Sequence, residues 1–148
     1  MNTTIHASAV LVGAKAVLIR GPAGSGKSRL AFELIEAARQ GTLAFARLVG
    51  DDRVHIEAHH GHLLVRPAPA LAGLLEVRGL GIRRVPHEPV ATVGLLVDLA
   101  AADAARLPDP DALESELAGV TLPRLPIDSE QALLPLVLGF LTTLPAGD

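Results

Sequence analysis

The chain has 148 residues, a length that suits one domain whose core needs no disulfide or structural metal. Its lack of cysteine excludes disulfides, thiolate metal sites and cysteine nucleophiles. A net charge of −3 and only three aromatic residues argue against a nucleic-acid-binding surface. No apolar run reaches the roughly 18 residues needed to cross a bilayer, and the N-terminus lacks the features of a signal peptide. We therefore expect a cytoplasmic protein that contacts neither nucleic acid nor membrane.

The first forty residues predict a strand, a loop and a helix in succession. Two short apolar runs, Val10–Val12 and Ala16–Arg20, are separated by a turn at Gly13 and read as a hairpin. After a glycine-rich segment, apolar residues at positions 30, 31, 34, 35 and 38 follow the helical period, which predicts a helix over Ser28–Gln40. Gly41 is a natural end for that helix.

The loop between the strand and the helix fits the pattern G-x-x-x-x-G-K-[ST], known as the P-loop. Its eight residues are Gly21, Pro22, Ala23, Gly24, Ser25, Gly26, Lys27 and Ser28. Glycines let backbone N–H groups converge on phosphate oxygens, while Lys27 can reach the β- and γ-phosphates and the Ser28 hydroxyl can ligate Mg²⁺. The motif predicts binding of ATP, or a related nucleotide, together with Mg²⁺.

The remainder of the chain predicts more strands than helices. Arg47–Glu57 alternates loosely around an acidic turn, Gly61–Arg66 reads as the second arm of a hairpin, and Val93–Leu99 reads as a buried strand. The four prolines between Ala100 and Pro126 predict loops. Asp128–Leu141 predicts a terminal helix whose apolar stripe packs in the core or, if exposed, forms an oligomer contact.

These elements predict an α/β fold, a P-loop kinase-like domain with a mixed β-sheet flanked by helices, in a single domain over residues 1–148. The sheet is expected to be mixed because several strands follow one another through hairpins instead of helices.

A P-loop needs an acidic partner for Mg²⁺ and for the attacking group, and two segments compete for that role. Asp98 ends an apolar strand, as in an ordinary Walker B motif, and the sequence pattern alone slightly favours it. Asp51 and Asp52 lie together near a strand end, where only one of two neighbours can face the phosphates. The pair also reads as a plain polar turn.

Four segments together resemble the catalytic domain of the HPr kinase/phosphorylase family. They are the histidine-containing strand Thr4–Val10, the P-loop Gly21–Ser28, the segment V-G-D-D-R-V at Val49–Val54, and L-E-V-R-G-L-G-I at Leu75–Ile82. The last is the most specific, since it is not a general P-loop feature. The resemblance covers residues 4 to about 85 and is closest to short proteobacterial forms.

The resemblance implies a role for individual residues. Asp52 would accept the proton of the substrate serine, with His6 and Lys27 as accompanying active-site residues. Ser28 and Glu76 would be the Mg²⁺ ligands, which would leave Asp98 a structural strand end. An arginine of the active site would be Arg106 or, in place of the family's P-V-x-P-G-R loop, Arg124.

The resemblance further implies an ATP-dependent kinase that phosphorylates a serine of the small phosphocarrier protein HPr, and a homo-oligomer of unstated size. The poor match to the P-V-x-P-G-R loop leaves open whether the reverse phosphorolysis occurs, and the sequence does not decide between ATP and pyrophosphate as the donor. One alternative is a small-molecule P-loop kinase or generic NTPase that uses Asp98. Another is a nucleotide-sensing module without turnover.

Overall fold

A computed structural model describes residues 2–147, which form one large mixed sheet, a small hairpin and two α-helices. The strands are β1 (Asn2–Ile5), β2 (Ser8–Val12), β3 (Lys15–Arg20), β4 (Ala46–Gly50), β5 (Val54–His59), β6 (His62–Pro67), β7 (Leu74–Val77), β8 (Gly81–Arg84), β9 (Ala91–Leu99), β10 (Glu114–Leu117) and β11 (Val120–Ile127). The helices are α1 (Lys27–Arg39) and α2 (Leu133–Thr142). Single turns of 3₁₀-helix lie at Pro69–Leu71 and Pro110–Leu113.

The long strand β9 organises the sheet. It pairs in parallel with β3 along one edge, and in parallel with β11 along the second half of its other edge. The first half of that other edge pairs antiparallel with β6. The main path of the sheet has the strand order β1-β5-β6-β9-β3-β2-β4. Its remaining pairs are antiparallel. The predicted α/β fold with a mixed sheet is confirmed.

The two faces of the sheet bury separate apolar clusters because neighbouring residues of a strand point to opposite sides. On β3, Val17 and Ile19 belong to one cluster, while Ala16 and Leu18 belong to the other. Buried residues of α1 and α2 appear only in the first cluster. Both helices therefore cover the same face, and this arrangement fixes α1, with the P-loop before it, against β3.

Two predictions from the C-terminal third are wrong. The region Ala100–Pro126, predicted as loop, contains the hairpin of β10 and β11. Pro123 and Pro126 are tolerated because β11 pairs with β10 up to Pro123 and with β9 only from Arg124, so each half of the strand has an open edge where no N–H is required. The terminal helix begins at Leu133 and not at Asp128, which places Pro135 in its first turn, where a missing N–H costs little.

Neither of the two helices within residues 2–147 is long and apolar enough to span a bilayer.

Candidate active site

The P-loop connects the end of β3 to the start of α1. Gly24 and Gly26 have φ of 79° and 107°, values that side chains disfavour, so the loop depends on glycine at these positions. The first turn of α1 contains no acidic residue, and no side chain caps its N-terminus. The free N–H groups and the positive end of the helix are therefore directed at the space above the loop, where an anion would bind.

The P-loop packs closely against β9 and α2. A Cβ added to Gly21 would lie 2.9 Å from Leu99 Cβ, and one added to Gly26 would lie 2.9 Å from Leu133 Cδ1. The Ser25 hydroxyl is buried without a hydrogen-bond partner in the described part of the chain. Lys27 Nζ donates to the carbonyl oxygens of Gly21 at 2.7 Å and Pro22 at 3.2 Å, which holds the ammonium group over the loop.

Asp51 is the acidic residue in contact with the P-loop. It is only 4% exposed, and the Ser28 hydroxyl donates to its carboxylate, lying 2.8 Å from Oδ1 and 2.9 Å from Oδ2. The buried Ser8 hydroxyl donates to Oδ1 at 2.6 Å. The backbone N–H of Glu76 donates to Oδ2 at 3.1 Å. No Lys or Arg of the described residues forms an ion pair with Asp51. The buried carboxylate beside Ser28, a predicted Mg²⁺ ligand, is therefore held by hydrogen-bond donors alone.

Asp52 lies next to this cluster but faces solvent. Its φ of 69° is left-handed, a conformation that Asp adopts more readily than most residues. Its carbonyl oxygen accepts a hydrogen bond from the N–H of Ala7 at 3.2 Å, which ties the turn to the residue after His6. His6 is exposed between β1 and β2. The structure thus brings His6 and Asp52 to one accessible corner beside Asp51.

Glu76 reaches the same place from β7. Its N–H contacts the Asp51 carboxylate, while its side chain is exposed on a strand whose preceding residue, Leu75, is buried. The Ser28 hydroxyl and the backbone of Glu76 therefore meet at Asp51, whereas the Glu76 carboxylate makes no hydrogen bond or ion pair with the described residues. Within residues 2–147, no group of three or more His, Cys, Asp or Glu residues is arranged to hold a metal ion.

Asp98 is held by arginines instead of facing the P-loop serine. Arg20 donates to both of its carboxylate oxygens, at 2.8 and 2.9 Å, and Arg124 donates to Oδ2 at 2.6 Å. Burial disfavours the charged carboxylate, but the hydrogen bonds and charges of Arg20 and Arg124 outweigh that effect and lower the pKa of Asp98 below 3.8. The carboxylate is therefore engaged in an ion-pair network at the end of β9.

The two candidate arginines lie in different surroundings. Arg124 also donates to Asp103 at 2.7 Å and to the carbonyl of Ala112 at 2.9 Å, so its guanidinium is engaged on several sides. Arg106 is exposed in the loop after β9 and lines a shallow cavity with Asp128 and Gln131. Among the described residues, no hydrogen bond or ion pair joins Arg106 to the cluster around Asp51, and its active-site role stays a prediction.

Two residues of the cluster received no role from the sequence. The rule that neighbours on a strand face opposite ways indicated that one of Asp51 and Asp52 would face the phosphates, and Asp51 is the one that contacts Ser28. Ser8 gave no signal, because a single serine in an apolar strand is common. Only the pairing of Ala9 with Gly50, which places residue 8 beside residue 51, brings it to the site.

Comparison with known families identifies the domain. The sequence model of the family described as HPr Serine kinase C-terminal domain matches residues 1–88, which is more than half of the 148 residues. The chain belongs to this family. The match ends where the resemblance of the four motifs also ends, so the HPr serine kinase C-terminal domain family accounts for the P-loop, the acidic turn and the β7–β8 hairpin.

Curated relatives of the chain are longer proteins named HPr kinase/phosphorylase. The relative from Geobacillus thermodenitrificans is 35% identical over 140 residues, which cover 85% of this chain and 42% of the relative. The relative from Clostridium tetani is 36% identical over 105 residues, covering 66% of this chain and 32% of the relative. The chain thus spans less than half the length of these relatives.

A solved structure shares the fold. The Hpr(Ser) kinase/phosphatase from Coxiella burnetii matches 94% of this chain and 88% of that chain with a TM-score of 0.74 and 24% sequence identity. The mixed sheet with its two helices is therefore the fold of that domain.

Proposed function

We propose that the chain is an ATP-dependent protein-serine kinase that phosphorylates a serine of the small phosphocarrier protein HPr in the cytoplasm. Membership of the HPr serine kinase C-terminal domain family and the names of the curated relatives support this substrate. The observation that supports the proposal most strongly is the contact of Ser28 with Asp51, since the next residue, Asp52, is exposed and accessible to a protein substrate.

The phosphate-binding part of the reaction would be performed by the P-loop. Backbone N–H groups from residues 24–28 hold the polyphosphate, and Lys27 exchanges its contacts with the carbonyls of Gly21 and Pro22 for contacts with phosphate oxygens. Ser28 and Glu76 would hold Mg²⁺, and Asp51 fixes the Ser28 hydroxyl. The ion would offset the negative charge of the phosphates.

The transfer itself requires a base next to the incoming serine. Asp52 takes the proton from the serine hydroxyl, the serine oxygen forms a bond with the terminal phosphorus, and the bond from that phosphorus to its bridging oxygen breaks to release ADP. Asp52 is suited to this role since it is exposed, whereas Asp51 is 4% exposed and fully engaged. His6 lies beside it, and Arg106 would offset charge on the transferring group from the loop after β9.

A further part of the proposal concerns oligomerisation. The apolar side chains of Leu136 and Phe140 lie one turn apart on α2 and are 37% and 44% exposed, and Leu144, just after the helix, is 91% exposed. Such a stripe supports a homo-oligomeric contact through the C-terminal segment.

The alternative of a generic NTPase that uses Asp98 is disfavoured, because both carboxylate oxygens of Asp98 are bound by arginine. Incubation of the protein with purified HPr, ATP and Mg²⁺, followed by intact-mass measurement, tests the proposal. We expect HPr to gain the mass of one phosphate on a serine. Asp98→Asn should retain this product, whereas an Asp98→Asn variant that binds ATP but transfers nothing would favour the alternative.

A further inference from the structure

The Asp51 carboxylate depends on a serine outside the P-loop. Ser8 opens β2, where its backbone pairs with Ile19 of β3 on one side, while Asp51 follows β4 on the other. Its side chain is completely buried, and its hydroxyl donates to Asp51 Oδ1 at 2.6 Å. Ser8 and Asp51 are the two buried polar or charged residues of the described chain.

We propose that Ser8 is a positioning residue that orients the Asp51 carboxylate toward Ser28 and the bound Mg²⁺–nucleotide. This inference rests on one part of the proposed function, the binding of a metal–nucleotide complex. It does not depend on which molecule accepts the phosphoryl group.

The hydrogen bonds around Asp51 give the physical reason. Ser28 lies within 2.8–2.9 Å of both carboxylate oxygens and so does not by itself select one orientation of the carboxylate. Ser8 on Oδ1 and the Glu76 N–H on Oδ2 approach one oxygen each and therefore fix the rotation of the group. The Glu76 donor belongs to the backbone and is present whatever the side chain, which leaves Ser8 as the removable element of this restraint.

The same short segment also holds the neighbouring aspartate. The N–H of Ala7 donates to the carbonyl of Asp52 and so fixes the backbone of that residue. The next residue, Ser8, fixes the side chain of Asp51. Partners that orient a metal-associated group commonly change metal affinity by roughly 10–100-fold when they are removed. Loss of the Ser8 hydroxyl should therefore act on metal binding and leave the rest of the P-loop unchanged.

The test separates metal binding from nucleotide binding. Binding of Mn²⁺, used in place of Mg²⁺ for its electron paramagnetic resonance signal, is titrated in the presence of a non-hydrolysable ATP analogue, and analogue binding is measured separately in EDTA. For Ser8→Ala we expect Mn²⁺ affinity to fall by about 10-fold or more, with analogue affinity in EDTA within about twofold of the parent protein. Ser115→Ala, on β10 at a distant part of the sheet, is the matched control and should change neither value.

A conservative variant distinguishes orientation from packing. Ser8→Thr keeps the hydroxyl and should restore Mn²⁺ affinity to within about threefold of the parent protein. If its added methyl group lowers the melting temperature, Ser8→Cys replaces it and should bind Mn²⁺ more tightly than Ser8→Ala, since a thiol is a weak donor.

Three results would overturn the inference: unchanged Mn²⁺ affinity in Ser8→Ala, an equal loss of analogue binding in EDTA, or a folded hydroxyl- or thiol-bearing variant no better than Ser8→Ala. A parent protein that binds no Mn²⁺ with the analogue would overturn it as well. A parent protein that binds both but does not phosphorylate HPr would contradict the proposed function alone.

Discussion

The Ser28 hydroxyl lies 2.8 Å from one carboxylate oxygen of Asp51 and 2.9 Å from the other. In P-loop proteins the serine or threonine that ends the motif commonly shares its Mg²⁺ with an aspartate from a neighbouring strand. Here that aspartate follows β4, an edge strand of the main sheet path, and not β9, which pairs directly with the P-loop strand. The aspartate in contact with the P-loop serine therefore lies in the turn after β4, which also contains Asp52.

The first prediction concerns Asp51 itself. Asp51→Asn replaces one acceptor oxygen with an amide that donates, so at least one of the donors from Ser8, Ser28 and Glu76 loses its partner. We expect phosphoryl transfer to fall by roughly 10–100-fold, mainly through weaker Mg²⁺ binding. Steady-state rates over a range of Mg²⁺ concentrations measure this. If the variant kept the parental rate at every Mg²⁺ concentration, Asp51 would have no role in the site.

Asp98→Asn should affect stability more than activity. The substitution weakens the hydrogen bonds that Arg20 and Arg124 make to a charged group, leaving two guanidinium groups with a poorer acceptor. We expect the free energy of unfolding to drop by about 1–3 kcal/mol in urea titrations. Asp111→Asn, at an exposed position in a short 3₁₀ turn, is the control and should leave the unfolding curve unchanged.

The same network predicts an acid-sensitive step in stability. Because the folded protein holds the pKa of Asp98 below 3.8, this carboxylate stabilises the fold fully at pH above 3.8, and the contribution disappears as the pH falls through the lower folded value. Melting temperatures measured downward from neutral pH should therefore decline less steeply in this acid range for Asp98→Asn than for the parent protein. Parallel curves would show that Asp98 does not contribute to acid unfolding.

Two glycines offer a matched pair of substitutions. Gly26→Ala places a methyl group 2.9 Å from Leu133 Cδ1 at a residue with φ of 107°, so we expect weaker nucleotide binding and a lower melting temperature. Gly139→Ala, within α2, meets no atom within 4 Å and should be neutral or stabilise the protein by about 0.5–1 kcal/mol. Calorimetric titration with ATP and thermal melts check both, and equal behaviour of the two variants would contradict the packing of α2 against the P-loop.

Asp52→Asn tests the base. Asparagine adopts left-handed φ as readily as aspartate, so the turn with φ of 69° should persist while the proton acceptor is lost. We expect transfer to HPr to fall by roughly 10²–10⁴-fold with nucleotide affinity retained. Transfer at the parental rate would assign the base to another group.

The local motifs were predictable from the sequence, whereas the contacts between distant strands were not. The P-loop, α1 and the first hairpin follow from residue types within one stretch of chain. The choice between Asp51 and Asp98 depends on where β4 and β9 lie relative to Ser28, and on Arg124 arriving from 26 residues further along to bind Asp98. The β10–β11 hairpin was missed because Pro123 and Pro126 are compatible with a strand only if the pairing partner changes midway, which local pattern does not reveal.

The position of Mg²⁺ in a crystal of the protein with a non-hydrolysable ATP analogue tests the central claim most directly. The account predicts the ion on the Ser28 hydroxyl, on the side of the P-loop that faces Asp51 and Glu76, with the Asp52 carboxylate turned toward the terminal phosphate. An ion bound by Asp98, with Asp52 remote from the terminal phosphorus, would contradict it.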